Sequence, residues 1–167
     1  MTILAKHTVP SPLGPVLLAA SPLGLRGAWF DEQAHGPATT RVAQWKSQPE
    51  HPVLQAAATQ LSAYFLGERQ SFDLPLDLSA GTPFQIAAWQ ALLQIAWGNT
   101  ISYGELARRM GNASAVRAAG TAIGRNPLCI FVPCHRVIGT NGSLTGYAGG
   151  LHRKQALLQL EQHGSLL

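Results

Sequence analysis

The sequence predicts an α/β lobe over residues 1–80, followed by a mainly α, winged helix-turn-helix lobe over residues 81–167. Three observations carry that prediction. Short apolar runs separated by Ser-Pro and Pro-Leu-Gly fill residues 3–30. Helical periodicity appears near residue 52 and dominates from residue 82 onward. An Asn-Gly turn signal at 141–142 stands between two extended runs, ahead of a closing helix.

In the first lobe, "ILAKHTV", "GPVLLAA" and "LGLRGAWF" read as a strand meander, because proline and glycine punctuate them. "HPVLQAAATQLSAYFLGE" places Leu54, Ala57, Leu61, Tyr64 and Phe65 at helical spacing, with Gly67 as the stop. Residues 70–81, "QSFDLPLDLSAG", have no helical period and read as a connection between the lobes.

The second lobe opens on Thr82-Pro83, an N-cap followed by proline at the first helical position. Its helix presents Gln85, Ala88, Trp89, Leu92, Leu93 and Ala96 on one side. "SYGELARRMG" follows, with Ser102 and Glu105 spaced as a capping box and Gly111 as the end. "SAVRAAGTAIG" completes a helix-turn-helix candidate whose second helix exposes mostly alanine and glycine. Such a face can approach a nucleic-acid backbone closely while offering few donors for reading bases. The plainer reading of the residues alone is close helix packing through Ala118, Ala119 and Gly120. The Asn141-Gly142 hairpin would form the wing, and "LHRKQALLQLEQHG" closes the chain as a helix.

Composition narrows the function classes. The 167 residues, 46% hydrophobic, suffice for a packed core and exclude a disordered chain. No run approaches the roughly 20 apolar residues of a membrane span, and Lys6, His7 and two prolines break the N-terminal apolar run. Charge is uneven: residues 1–81 carry five basic against six acidic groups, residues 82–167 seven against two. A basic C-terminal half points to a polyanion partner. Cys129 and Cys134 lie five apart on what reads as one extended segment, where a disulfide would be strained, so both read as free thiols of a cytoplasmic protein. His7, His35, His51, His152 and His163 show no ligand spacing, and "CxxxxCH" matches no common zinc pattern, so no metal site is expected.

The chemistry concentrates at "FVPCHRVIG". A thiol becomes a nucleophile once deprotonated, and a neighbouring imidazole or cation lowers its pKa from about 8.5. His135 is adjacent, but on an extended segment consecutive side chains point apart, so a bridging water or a turn at Pro133 is required. Glu161 falls on the apolar face of the last helix with Leu157 and Leu158. It reads either as a carboxylate that orients a histidine, giving a Glu–His–water–Cys relay, or as a boundary residue reaching solvent.

"ISYGELA", "VRAAGTAIGRNP", "FVPCHRVIG", "LTGYAGG" and "RKQALLQLE", in that order across residues 82–163, resemble the O6-alkylguanine-DNA alkyltransferases. "SPLGPVLLAA" and "LSAYFLGE" extend the resemblance into the first lobe. It implies a ribonuclease-H-like N-terminal lobe and direct, cofactor-free damage reversal. Cys134 would take the alkyl group from O6-alkylguanine, with O4-alkylthymine a further candidate substrate, and would end as an irreversible S-alkylcysteine. His135, held by Glu161, would remove the thiol proton through a water, and Asn126 would support the active-site turn. Tyr103 would help rotate the nucleotide outward, Arg117 would fill the vacated stack, and Tyr147 would line the pocket of the flipped base. The small-residue helix would lie in the minor groove of double-stranded DNA, with Asn112 and Thr140 as backbone contacts. A monomer without an obligate protein partner, able to cluster on DNA, is implied.

Two departures stand out. Ala148 replaces a hydroxyl residue that some relatives carry after the pocket tyrosine, and the N-terminal cysteines that bind zinc in some relatives are missing. Cys129, outside the motif, reads as a small buried hydrophobe. Three rival readings are weaker. Lesion sensors of this kind lack the reactive cysteine. A winged-helix transcription factor would need base-reading side chains on residues 114–124, and a Cys-His-Glu hydrolase would need an oxyanion hole.

Overall fold

The computed structural model describes residues 3–167. Three strands, β1 (Ala5–Val9), β2 (Val16–Ser21) and β3 (Gly24–Phe30), form the expected antiparallel meander. Two short elements follow that no periodicity announced, α1 (Thr39–Ala43) and β4 (Lys46–Ser47). β4 pairs parallel to β1, so the sheet order is β3-β2-β1-β4. Between α1 and β4, Trp45 stacks on Trp29 with ring centroids 5.8 Å apart.

Helix α2 (Pro52–Phe65) buries Leu54, Ala57, Leu61, Tyr64 and Phe65, the stripe its 3.6-residue period dictates. His51 caps it, Nδ1 accepting the Val53 N–H at 3.2 Å, so this histidine does more than decorate the surface.

The connection at 70–81 is pinned rather than free. Leu25 N–H donates to Pro75 O at 2.9 Å, and Asp77 N–H to Leu25 O at 2.8 Å. Further along the same edge of β3, Ala28 N–H donates to Pro127 O (2.8 Å) and Cys129 N–H to Ala28 O (3.0 Å). The outer strand is thus covered twice, by the connection and by the segment leading to Cys134. The edge that would otherwise invite aggregation holds the segment leading to Cys134 in register with the first lobe.

In the second lobe, α3 (Pro83–Leu92) begins with a reciprocal capping box between Thr82 and Gln85 and buries Ala88, Trp89 and Leu92. Trp89 Nε1 donates to Ala122 O at 2.9 Å, tying α3 to the helix beyond. The predicted stripe stops early. The helix ends at Leu92, leaving Leu93 39% exposed and Ala96 exposed, while Ile95 and Trp97 pack in their place.

After β5 (Ile101–Ser102), α4 (Tyr103–Arg109) receives only half of its capping box. Ser102 Oγ accepts the Glu105 N–H, but the Glu105 carboxylate turns to Arg108 and Arg109. Helix α5 (Val116–Gly124) buries Ala119, Ala122 and Ile123. Its small residues divide the two roles considered for them. Ala119 packs inward and Gly120 lies against the Tyr103 ring, whereas Arg117, Ala118 and Thr121 face outward.

The wing differs from expectation. β6 (Val137–Ile138) pairs parallel to β5, not with a returning strand. Gly139 N–H still donates to Ser143 O at 2.9 Å, and Gly142 takes φ 82°. Asn141 is not left-handed, so the turn spans three residues with a left-handed glycine instead of a two-residue type I′ turn. Helix α6 (Leu151–His163) ends the fold, burying Lys154, Leu157, Leu158, Leu160 and Glu161.

Candidate active site

The segment from Asn126 to Cys134 doubles back instead of extending, which corrects the extended reading of this stretch, while both cysteines are free thiols as expected. Val132 N–H donates to Leu128 O at 2.9 Å, and Ile130 sits at φ 74°, an uncommon backbone for a β-branched residue. Pro133 (φ −81°, ψ 65°) is the centre of an inverse γ-turn, closed by Cys134 N–H donating to Val132 O at 2.8 Å. A 3₁₀ turn, Cys134–Arg136, follows. The required turn at Pro133 is therefore present.

Asn126 staples this loop from inside. Its Oδ1 accepts the Leu128 N–H at 2.9 Å, and its Nδ2 donates to Val132 O at 2.9 Å and to Cys134 Sγ at 3.1 Å. Cys134 itself is 4% exposed.

Glu161, on α6, is buried and fully partnered, so the solvent-reaching alternative falls away. Its Oε2 lies 2.6 Å from His135 Nε2 and accepts the Tyr64 hydroxyl at 2.6 Å. Arg136 grips both oxygens, Nε to Oε1 at 2.7 Å and Nη2 to Oε2 at 3.0 Å. Burial raises the carboxyl pKa, but the hydrogen bonds from His135 and Arg136, with the Arg136 charge, outweigh it and hold the group at about 2. An ionised Glu161 is acceptor only, so His135 carries its proton on Nε2. Nδ1 is then a bare acceptor, buried and without a partner among the described residues. Burial also pushes the His135 pKa below its usual value, which keeps the ring neutral and able to take a proton.

The Cys134 thiol is shifted down. The neighbouring Cys129 thiol contributes most, burial opposes it, and Asn126 and the Lys154 charge add to the lowering. Lys154 is buried, its Nζ donating to Val137 O at 2.6 Å and Thr145 O at 2.8 Å. Cys129 is also more than a filler. It donates to Gln33 Oε1 at 3.3 Å, and its own pKa is raised, first by Cys134 and then by burial.

Beside this cluster lies a recess of about 390 Å³ lined by Tyr103, Gly120, Ile123, Thr145, Tyr147 and Ala148, among others. Thr145 Oγ1 donates to the Tyr103 hydroxyl at 3.1 Å. The Tyr147 hydroxyl is buried without a partner among the described residues. Arg117, Asn112 and Thr140 are exposed and line no part of the recess; Asn112 Oδ1 accepts Ser114 Oγ at 2.8 Å. The fold thus gathers Cys134, His135, Glu161 and Asn126 into one cluster and sets Tyr103 and Tyr147 together at the recess. The other three remain on the surface.

Three contributors escaped the sequence reading. Arg136 stood beside the cysteine, yet nothing gave it a partner. Tyr64 is indistinguishable from core on the apolar stripe of α2, and Lys154 looks like any helix cation.

Two family descriptions match the chain. Residues 4–78 match the 6-O-methylguanine DNA methyltransferase ribonuclease-like domain, and residues 83–163 match the DNA binding domain of that family. The methylated-DNA–protein-cysteine methyltransferase of Mycobacterium tuberculosis is 48% identical over 156 residues, covering 93% of this chain and 91% of the relative. The protein of the same name from Methanosarcina acetivorans is 48% identical over 152 residues, covering 90% and 94%. Among solved structures, Mycobacterium tuberculosis OGT in complex with DNA superposes with a TM-score of 0.87 at 46% identity, covering 96% of this chain and 94% of that one. With both halves matched, in sequence and in three dimensions, the chain belongs to the 6-O-methylguanine DNA methyltransferase family.

Proposed function

We propose that this protein repairs alkylated DNA by moving the alkyl group of O6-alkylguanine onto Cys134 Sγ, once per molecule. The observation that carries the reading is the bare, buried Nδ1 of His135, one residue from a thiol of lowered pKa. In this reading the Cys134 proton passes through a bridging water to Nδ1, and Glu161 stabilises the imidazolium that forms. The thiolate attacks the alkyl carbon in line; the S–C bond forms as the C–O bond breaks, and guanine leaves with a proton restored to it. Tyr103, at the mouth of the recess, is suited to supply that proton. The product is a thioether, which no group in the cluster can cleave, so turnover ends there.

A base stacked in a duplex cannot reach a sulfur this deeply buried, so the nucleotide must be extruded at a cost of a few kcal/mol. The recess between Tyr103 and Tyr147 is the place for it, and Arg117 is the residue to enter the vacated stack. The outward face of α5, small apart from Val116, Arg117 and Thr121, suits the minor groove, with Asn112 and Thr140 touching the backbone. Binding as a monomer, with neighbours free to cluster on DNA, accords with a surface that reads no sequence. Two free thiols support a cytoplasmic location, and no helix of the described residues is long and apolar enough to cross a membrane.

The test is mass spectrometry after mixing the protein with excess duplex bearing one O6-methylguanine. A single methyl on the Cys134 peptide, with guanine restored and no further turnover, is expected. Tight lesion binding with an unmodified protein would reduce the role to sensing.

A further inference from the structure

One wall of the recess, residues 143–150, belongs to no helix or strand. Its place is therefore set by what its carbonyls are tied to. Lys154 Nζ holds Thr145 O from within the second lobe. The next two ties lead to the first lobe. Ala34 N–H, in the loop after β3, donates to Ala148 O at 2.8 Å, and Arg153 Nη1 donates to Gly149 O at 3.0 Å. Ala34 and His35 also line the recess beside Tyr147 and Ala148, so the first lobe supplies part of its surface.

Arg153 joins the two sides. From the first turn of α6, its Nε donates to Leu13 O at 3.0 Å, in the turn between β1 and β2, and its Nη1 reaches Asp31 O, just past β3, at 3.3 Å. The guanidinium carbon stands 4.6 Å from the centroid of the Phe30 ring. The ion pairs among the described residues leave Arg153 out. A planar fork that takes three backbone carbonyls and a ring face works as a rigid spacer between two pieces of chain. There is little slack behind it. A methyl group added at Gly149 would stand 2.6 Å from Tyr147 Cε2 and 3.0 Å from Phe30 Cδ2, so the Phe30 ring, the Gly149 backbone and the Tyr147 ring form one close-packed row.

We propose that Arg153 is a positioning residue for alkyl transfer, bridging Gly149 O to Leu13 O and Asp31 O so that the first lobe fixes the Tyr147 wall of the recess. The inference rests on the proposed transfer to Cys134. In-line displacement requires the alkyl carbon about 3–3.5 Å from the sulfur, with the leaving oxygen on the far side. Asn126 holds the sulfur, so the distance between sulfur and base is set by the wall on which the base rests. A wall free to shift by about 1 Å loses that alignment, at a cost of about 10²-fold in rate. Arg153 lines no part of the recess and acts only through Gly149 and the residues packed on it.

Two variants test the bridge. Arg153→Met keeps an unbranched apolar stem and removes every donor; Arg153→Lys keeps the charge, but one ammonium cannot span carbonyls on both sides. The readouts are single-turnover methyl transfer at saturating duplex O6-methylguanine, the same transfer from a single-stranded oligonucleotide, affinity for undamaged duplex, and iodoacetamide labelling of the Cys134 peptide. For Arg153→Met we expect transfer to slow by about 10–10²-fold from both substrates alike, because they share the recess. Duplex affinity and Cys134 labelling should match the wild type, since the outward face of α5 and the Asn126 staple are untouched. Arg153→Lys should transfer at a rate nearer to that of Arg153→Met than to the wild type. Wild-type transfer by either variant would leave the bridge without a function and overturn the inference. A fall in labelling equal to the fall in transfer would overturn it too, making Arg153 a support of the whole fold. A wild-type protein that never methylates Cys134 would instead overturn the proposed function.

Discussion

The Tyr64 hydroxyl donates to Glu161 Oε2 at 2.6 Å, joining α2 of the first lobe to the carboxylate that holds His135. Two ring-edge contacts, to Phe65 and Trp97, fix the tyrosine, and burial first, then Glu161, raises its pKa so that the proton stays on the oxygen. Tyr64→Phe removes this donor and leaves His135 and Arg136 in place. A lost hydrogen bond to a buried charge costs about 1.5–3 kcal/mol, and denaturant unfolding should show a loss of that size. Methyl transfer should slow only a few-fold, because the His135–Glu161 contact persists. A collapse of transfer in a variant of unchanged stability would contradict this division of labour.

The neutral state of His135 has a kinetic consequence. Burial lowers its pKa below the usual value of about 6.5, so the base remains unprotonated into mildly acidic solution. At saturating duplex, the single-turnover rate should hold level through pH 6.5 and fall only at lower pH, as Nδ1 gains a proton. His135→Gln should slow transfer by about 10²–10⁴-fold and abolish that acidic limb. An acidic limb centred above pH 6.5 would mean that the ring is charged at rest.

Glu161 predicts a window in stability. Its folded pKa of about 2 lies below the roughly 4.3 of an unfolded glutamate, so the unfolded chain binds more protons between those values. The linked stability is complete above pH 4.3 and is lost as pH falls toward 2, on the order of 3 kcal/mol. Glu161→Gln should be less stable by about 3–5 kcal/mol at pH 7, since the buried Arg136 then lacks its counter-charge. The gap between the two proteins, followed by urea unfolding, should stay constant from pH 7 to 5 and narrow below pH 4.3. A gap independent of pH would mean that the carboxyl is not ionised in the folded state.

What the sequence discloses and what it conceals follow from the range of the interactions involved. The meander, α2 and the α3–α5 array obey periodicities of two or 3.6, and Thr82 and Ser102 mark helix starts with local chemistry. α1 and β4 are too short for a period to show, and the paired wing fails because β6 finds its partner 36 residues upstream in β5. At the site, the pairing of Glu161 with His135 was one of two open readings, settled only by folding. The Tyr64 contact spans 97 residues and leaves no trace in either segment. Nor could an extended reading of 126–134 foresee that a left-handed Ile130 and the turn at Pro133 fold the loop onto Asn126.

Arg117 separates extrusion from simple affinity. Its side chain projects from the outward face of α5, beyond the recess that Tyr103 and Tyr147 line. Removing an exposed side chain there should change stability by no more than about 0.5 kcal/mol. As a plain phosphate contact, Arg117→Ala would weaken binding to any duplex and reduce the salt slope by about one. As the residue that replaces the extruded base, it lowers the free energy of the flipped state, so its loss should slow transfer from duplex O6-methylguanine more than it weakens binding to undamaged duplex. A single-stranded oligonucleotide carrying the same lesion has no paired stack to refill. Transfer from that substrate should be close to wild type at saturating concentration. Equal losses in duplex binding, duplex transfer and single-strand transfer would leave Arg117 as a general cation on the DNA-facing surface.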